Sequence, residues 1–527
     1  VGRFSSSDIA SGASGLLACR YNSMEAEKEH QFRFAFDRDF SYSLEIPLYL
    51  TQNYTSKITG LGGTVDGVNV SWCVPDYKIP KNPQNVSYLP AKPIRMESAR
   101  NDFESMQLVV SPIGSNGKSL TGLTGSVSDL VGPNGAKIAA KDIELRYAYY
   151  HFVSNPTDRT SIVGYWPDAL VPLDKGSDGR GAPITIAAGC NQPVWVTVHV
   201  GSETPAGKYR GTVTLKDASG SFHVSIPYEL KVWDIVLPEK NTLATAFGLS
   251  EGTIAKYHNL KTQEDRRAVW EMYLENFGNH RISLYTPAPF DGLWVKWNLK
   301  ATPPTVEIDA KAFSAEMKRI FAKYHFTNFR CHIDGLGGGT YEGRRDPSIG
   351  KFTKDTPEYK ALMAEYGRQL EKTLKDAGLL EAAYAYWFDE PDQKDYEFVA
   401  TGFATLKKYM PGIARMLTEE PNDALNEQLE KLHGELDIWC PVSNNYDQEQ
   451  AEKRMKKNER FWWYVCCGPK APYCTLFIDH PATELRVWLW QTWERGIVGN
   501  LVWASNYWTS PAAYPDQAQN PYEDPMG

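Results

Sequence analysis

From Thr242 onward, short apolar strand-like runs alternate with amphipathic helical stretches. ATAFGLS precedes DRRAVWEMYLENFGN, RISLYTP precedes KAFSAEMKRIFAKYH, NFRCHIDG precedes EYKALMAEYGRQLEKTLKDAG, and AAYAYWFDE precedes DYEFVATGFATLKKYM. RMLTEEP with NEQLEKLH, LDIWCPVSNN with QEQAEKRMKKNER, and WWYVCCG with ATELRVWLWQTWERG continue the rhythm, and VGNLVWASNYW supplies an eighth strand candidate. Such alternation calls for parallel strands joined by helical crossovers. Eight units in one stretch predict a (β/α)8 barrel of the TIM type. The competitor, a doubly wound open sheet, is disfavoured because no GxGxxG follows the first strand.

At 527 residues the chain exceeds one core, so several domains are expected. From about Pro93 to Pro238 the pattern is all-β, with MQLVVSP, IELRYAYYHFV, PVWVTVHV, GKYRGTVTL and FHVSIPYELKVWDIVLP separated by Gly, Pro, Asn and Asp. An antiparallel β-sandwich is the natural reading. The expected organisation is an N-terminal irregular/β segment over 1–90, a sandwich over 91–238, and the catalytic barrel over 239–527, with LPEKNT as the linker. In the first segment, SYSLEIPLYL reads as a strand. The absence of an initial Met and the stop at Gly527 are expected of a processed or partial chain, with the barrel cut short at its C-terminal end.

Charge excludes some classes of function. With 56 basic and 64 acidic residues the net charge is −8, which offers no basic face for nucleic acid. No run is long and apolar enough to span a membrane. The eight cysteines are scattered without a CxxC, so neither a disulfide framework nor zinc spacing is expected. Cys466 and Cys467 would face opposite sides of a strand, which argues against a metal pair. No metal and no cofactor are expected.

The segment EAAYAYWFDEP, Glu381 to Pro391, carries the chemistry. It reads as a buried strand that stops on two adjacent acids, Asp389 and Glu390, because Pro391 cannot donate to a ladder. Burial and mutual proximity both disfavour a second charge, which is how a site keeps one carboxylic acid neutral beside an ionised one. The bland alternative is a helix N-cap, with Asp392 as another cap candidate. In a barrel of this kind the active site lies at the C-terminal ends of the strands. Here those ends carry His332 and Asp334, Asp389 and Glu390, Glu419 and Glu420, Ser443 to Asn445, and Asn506 to Trp508. Acids, amides and aromatics converging on one rim suit a polyhydroxylated ligand. The glycines at 335 and 337–339 read as a loop lining that pocket, and KRMKKNER reads as a solvated helix face.

With these residues the chain resembles glycoside hydrolase family 123, β-N-acetylgalactosaminidases built as a β-sandwich followed by a barrel. The resemblance rests on ARNDFESMQLVV (Ala99 to Val110), GYWPDALVP (Gly164 to Pro172), NQPVWVTVHV with TPAGKYRGTVTL, LKVWDIVLP, WFDEP, WWYV (Trp462 to Val465) and GNLVWASNYW (Gly499 to Trp508). It implies substrate-assisted hydrolysis, in which the C2 acetamido oxygen attacks the anomeric carbon to give an oxazoline, an exception to the two-carboxylate scheme. Asp389 would then orient the acetamide and Glu390 would be the acid/base. Tyr464 is a candidate for the acetamide oxygen, with a core tyrosine as its bland reading. Trp508 and Trp503 are candidates for a platform under the sugar, against simple packing. Asp334, His332 and Asn445 are candidates for the hydroxyls, against a core histidine and a turn residue. The implied partner is an oligosaccharide or glycoconjugate, and the implied setting is secreted, periplasmic or at a bacterial cell surface. Two rivals stand beside it: a two-carboxylate retaining glycosidase with Glu419 or Glu420 as nucleophile, and a non-catalytic carbohydrate-binding protein.

Overall fold

The structure is a computed structural model that describes residues 56–82, 86–113, 118–173, 183–508 and 519–522. The strand expected in SYSLEIPLYL lies outside the described residues. The described residues fall in one compact unit, 54–527.

The first part is built mostly from antiparallel strand pairs forming two sheets, with Val86–Leu89 on Ser56–Val65 and Ile94–Arg100 on His223–Val236 added in parallel. In one sheet Asp102–Pro112 is central, paired on one side with Gln192–Val200 and on the other with Val68–Cys73. In the other, Gly207–Lys216 pairs with His223–Val236 along its whole length. Alternate residues point inward, as period-two strands require. Met106, Leu108, Val194 and Val196 from one sheet meet Leu123, Tyr209, Val213 and Leu230 from the other in a single apolar cluster. Among the described residues the first sheet already includes Ser56–Val65, ahead of the expected boundary near residue 90: it pairs with Val68–Cys73, which pairs in turn with Asp102–Pro112.

Among the described residues the second part carries seven parallel strands: β1 (Ala244–Phe247), β2 (Phe329–Arg330), β3 (Ala383–Ala385), β4 (Ala414–Leu417), β5 (Ile438–Trp439), β6 (Arg460–Tyr464) and β7 (Gly499–Val502). Their order in the sheet is β1-β7-β6-β5-β4-β3-β2. The segment expected as the second of eight strands, RISLYTP, forms only an isolated parallel bridge, Leu284 to Phe247. Its backbone nevertheless spans the gap. Tyr285 N donates to Phe247 O at 2.9 Å, and Arg330 N donates to Tyr285 O at 2.9 Å. The barrel is therefore nearly closed. Pro287 follows at once and ends the pairing.

Helices α1 (Glu251–Tyr257), α2 (Gln263–Asn279), α3 (Lys311–Tyr324), α4 (Pro357–Asp376), α5 (Tyr396–Tyr409), α6 (Asp423–Lys431), α7 (Gln448–Met455) and α8 (Thr483–Glu494) lie between the strands in sequence. Starts are set by side-chain caps: Thr262 Oγ1, Thr356 Oγ1, Asn422 Oδ1 and Asp447 Oδ1 each accept from the backbone three residues on. In β6 the period-two rule is plain. Trp462 and Tyr464 join the interior cluster with Tyr384 and Met416, while Phe461 and Trp463 pack outward with the helices.

The two parts meet through loop 157–161 and the segment after β6. Asp479 accepts from Thr157 N and Oγ1, both at 2.7 Å, and from Ser161 Oγ at 2.5 Å. Buried His480 lies between Asp158 and Glu484.

Candidate active site

The expected continuous strand to Asp389 breaks after Ala385. Phe388–Asp389 leaves the barrel sheet and pairs instead with Gly338–Thr340 from the glycine-rich loop. Gly338 is required there: its φ is +138°, and a Cβ would sit 2.7 Å from Trp387 O. The break slips the side-chain alternation by one. Trp387 and Phe388 both pack outward, so Tyr386 and Asp389, three residues apart, both face the interior side.

That slip builds the anchorage of the two acids. Tyr386 Oη donates to Asp389 Oδ1, and Thr418 Oγ1 donates to the same oxygen at 2.9 Å. Thr418 Oγ1 also accepts the Glu390 N–H at 2.9 Å. Thr418 is buried just past β4, where the alternation through Met416 points it inward. Glu390 then turns away with φ +45°, a left-handed conformation that a non-glycine residue holds only when its surroundings impose it. Its Oε1 accepts from Tyr464 Oη. Burial first, and then the Glu390 carboxylate, push the Tyr464 phenol well up, so it remains a donor. Burial and Asp389 do the same for Tyr386.

Glu390 opens into a cavity of about 450 Å³ that Tyr341, Asp392, Tyr396, Glu419, Glu420, Asn445 and Tyr464 also line. Burial, followed by the Glu420 carboxylate, pushes Glu419 up to about 8. A larger cavity, about 710 Å³, lies on the sheet part around Tyr165 and Trp166, but no carboxylate lines it. Acid–base chemistry therefore belongs to the smaller one.

Of the residues singled out in the sequence, Glu390, Asp392, Glu419, Glu420, Asn445 and Tyr464 share this cavity, with Asp389 tied to it through Thr418. Asn445 sits in a short 3-10 turn and accepts from Asn444 Nδ2 at 2.9 Å. His332 is exposed and pairs with Asp334 at 3.2 Å, and neither lines the cavity. The glycine-rich loop reaches the cavity through Tyr341 rather than its glycines. Trp503 is half exposed against Tyr507, ring centroids 4.8 Å apart. Trp508 packs edge-on against Tyr257 at 5.2 Å, beside α1, and does not line the cavity. The sequence reading missed Tyr386, Thr418 and Tyr396. Strict alternation puts Tyr386 on the face opposite Asp389, and nothing in sequence links Thr418 to either acid.

Two family models match the chain: Glycoside hydrolase 123, catalytic domain, over residues 339–527, and Glycoside hydrolase 123 N-terminal domain, over residues 77–217. No curated protein matches. Among solved structures, a family 123 glycoside hydrolase from Clostridium perfringens, described in a study of glycolipid glycan hydrolysis, superposes with a TM-score of 0.61 at 14% identity, over 86% of this chain and 80% of that one. That likeness is one of fold. A β-glucuronidase from Parabacteroides merdae is similar only at a TM-score of 0.24 and 9% identity, over 79% of this chain and 48% of that one, too low to carry an argument.

Proposed function

The chain belongs to glycoside hydrolase family 123 and is a glycoside hydrolase, and from that premise we propose that it removes terminal β-linked N-acetylgalactosamine with retention, by substrate-assisted catalysis. Asp389 holds the acetamide N–H and stabilises positive charge as the acetamido oxygen attacks the anomeric carbon. Glu390 protonates the leaving oxygen, then takes a proton from the water that opens the oxazoline. The observation that carries this reading is the separate anchoring of two adjacent carboxylates. Asp389 is held by Tyr386 and Thr418, and Glu390 by Tyr464, so neighbours in sequence are aimed by different strands. Adjacency suits two targets, acetamide and glycosidic oxygen, that flank one carbon.

The two-carboxylate reading needs an ionised nucleophile. Glu419, held up to about 8, is neutral at neutral pH and is a poor one. Glu420 lines the same cavity and keeps that reading as the alternative. The rest of the proposal follows the family. The two sheets sharing one core are read as a sandwich buttressing the barrel, with the division near residue 238. The substrate is an oligosaccharide or glycoconjugate met outside the cytoplasm of a bacterium.

Release of nitrophenol from the aryl β-N-acetylgalactosaminide tests the proposal, with the gluco epimer and the plain β-galactoside alongside. Hydrolysis is expected to require the acetamide and to be lost in Asp389→Asn and Glu390→Gln. Equal hydrolysis of the plain galactoside would overturn the assisted mechanism in favour of two carboxylates.

A further inference from the structure

Glu419 stands on the wall of the cavity that holds Glu390, yet the proposed chemistry gives it no task. Its setting is built rather than incidental. Asn422 Oδ1 accepts from Leu425 N at 2.9 Å as the cap of α6, which turns Asn422 Nδ2 back towards Glu419. That amide donates to Tyr396 Oη at 3.0 Å and to Glu419 Oε1 at 3.3 Å. Tyr396 Oη, its lone pair taken by Asn422, donates to the same Oε1 at 3.0 Å. Oε1 therefore receives two donors, and the carboxyl plane is held by two residues from different elements.

In a neutral carboxyl group the oxygen accepting two hydrogen bonds is the carbonyl, so the proton sits on the other oxygen. Oε2 has no partner among the described residues and belongs to a side chain lining the cavity. The groups facing Glu419 are Glu420, Glu390, Asp392 and Tyr396, and no Lys, Arg or His lines the cavity among the described residues. Burial and these carboxylates, against the opposing hydrogen bond from Tyr396, push Glu419 up to about 8.

We propose that Glu419 is a specificity-determining residue of this cavity, donating a hydrogen bond through Oε2 to an oxygen of the bound sugar while Tyr396 and Asn422 hold Oε1. This rests on the reading of the cavity as a sugar site. A carboxylate there would only accept, and would add a charge beside Glu390. A neutral acid offers a donor in a pocket otherwise rich in acceptors, and so selects a ligand that presents an acceptor oxygen at that wall.

The test is the pH dependence of sugar binding by calorimetry, on the Glu390→Gln variant so that the acid itself does not titrate. Burial and Glu420, the two largest influences on Glu419, remain in that variant. The probes are N-acetylgalactosamine, N-acetylglucosamine and galactose. Affinity for the sugar that binds is expected to fall roughly tenfold between about pH 6.5 and 9.5, the loss of one hydrogen bond. Adding Glu419→Gln, which keeps a neutral donor, should make affinity independent of pH. Adding Glu419→Ala should weaken it roughly tenfold at every pH. Affinity that is flat with pH while Glu419 is present, or undiminished in Glu419→Ala, would overturn the proposal. Hydrolysis of the aryl N-acetylgalactosaminide by the unaltered enzyme separates the two readings. An active enzyme with pH-flat binding loses only the Glu419 assignment. An enzyme inactive on that substrate but showing pH-dependent binding of another of these sugars loses only the N-acetylgalactosamine reading. Binding of none of the three overturns Glu419 as a sugar contact.

Discussion

Tyr464 and Glu390, 74 residues apart, meet through a hydrogen bond from the phenol to Oε1. One sits at the end of β6 and the other in the turn beyond β3, so closure of the sheet is what brings them together. The bond constrains an acid whose backbone already lies in the left-handed region.

Removing it should cost rate more than stability. Tyr464→Phe is expected to lower kcat/KM by about 10- to 100-fold, the worth of a hydrogen bond to a charged group. The melting temperature should stay close to that of the parent, because Glu390 retains access to water through the cavity. Kinetics on the aryl substrate together with a thermal melt check this.

Thr418 serves both acids, and only its hydroxyl does so. Thr418→Val preserves shape but leaves the Glu390 N–H and Asp389 Oδ1 each short of a partner. The expected loss in kcat/KM is about 10- to 100-fold. Thr418→Ser should stay within a few-fold. Equal loss in both variants would assign the effect to the methyl group and its packing.

Gly402, in α5, lies against Trp387, and a Cβ there would be 2.1 Å from Cζ2 of the indole. Gly402→Ala is expected to destabilise by about 1–3 kcal/mol through overpacking. The roughly 1 kcal/mol gained in helix propensity offsets only part of that. Because Trp387 forms the slip that turns Asp389 inward, activity should fall as well. Denaturant unfolding and kinetics on one preparation separate the two effects.

His480 joins the two parts of the molecule. Its Nε2 is 3.2 Å from Asp158 as an ion pair without hydrogen-bond geometry, and its Nδ1 is 3.4 Å from Glu484. Burial lowers its proton affinity, but Glu484, Asp158 and Asp479 outweigh that and raise it above the ordinary 6.5. A raised folded-state value means stabilisation that is complete below about pH 6.5 and lost as pH rises through the folded value. The melting-temperature difference between the parent and His480→Gln should therefore be larger at pH 5.5 to 6 than at pH 8 to 9. A difference that grows with pH would contradict the ion-pair account.

Much of this was legible in the chain. Period-two runs such as RFWWY and the strand–helix rhythm after Thr242 are local patterns, and they specify parallel strands with interior and exterior faces before any packing is known. Pro391 and the adjacent acids likewise mark a strand end that carries carboxylates. RISLYTP has the pattern of a full strand, but its apolar residues bury against neighbours while only a bridge forms. Trp508 stands at a strand end, the position that suggests a platform, and packs edge-on against Tyr257.

The sequence alone therefore determined the parallel helix-and-strand class and the rim on which Asp389 and Glu390 stand, because hydrophobic period and proline chemistry act over a few residues. Tertiary structure decided the rest. The slip at Trp387 and Phe388 depends on a strand borrowed from the glycine-rich loop. The partners of the acids come from Tyr386, Thr418 and Tyr464, and Glu419 is pushed up because burial and carboxylates from separate loops meet there. These are through-space effects, set by which strands close the barrel side by side, and no local pattern encodes them.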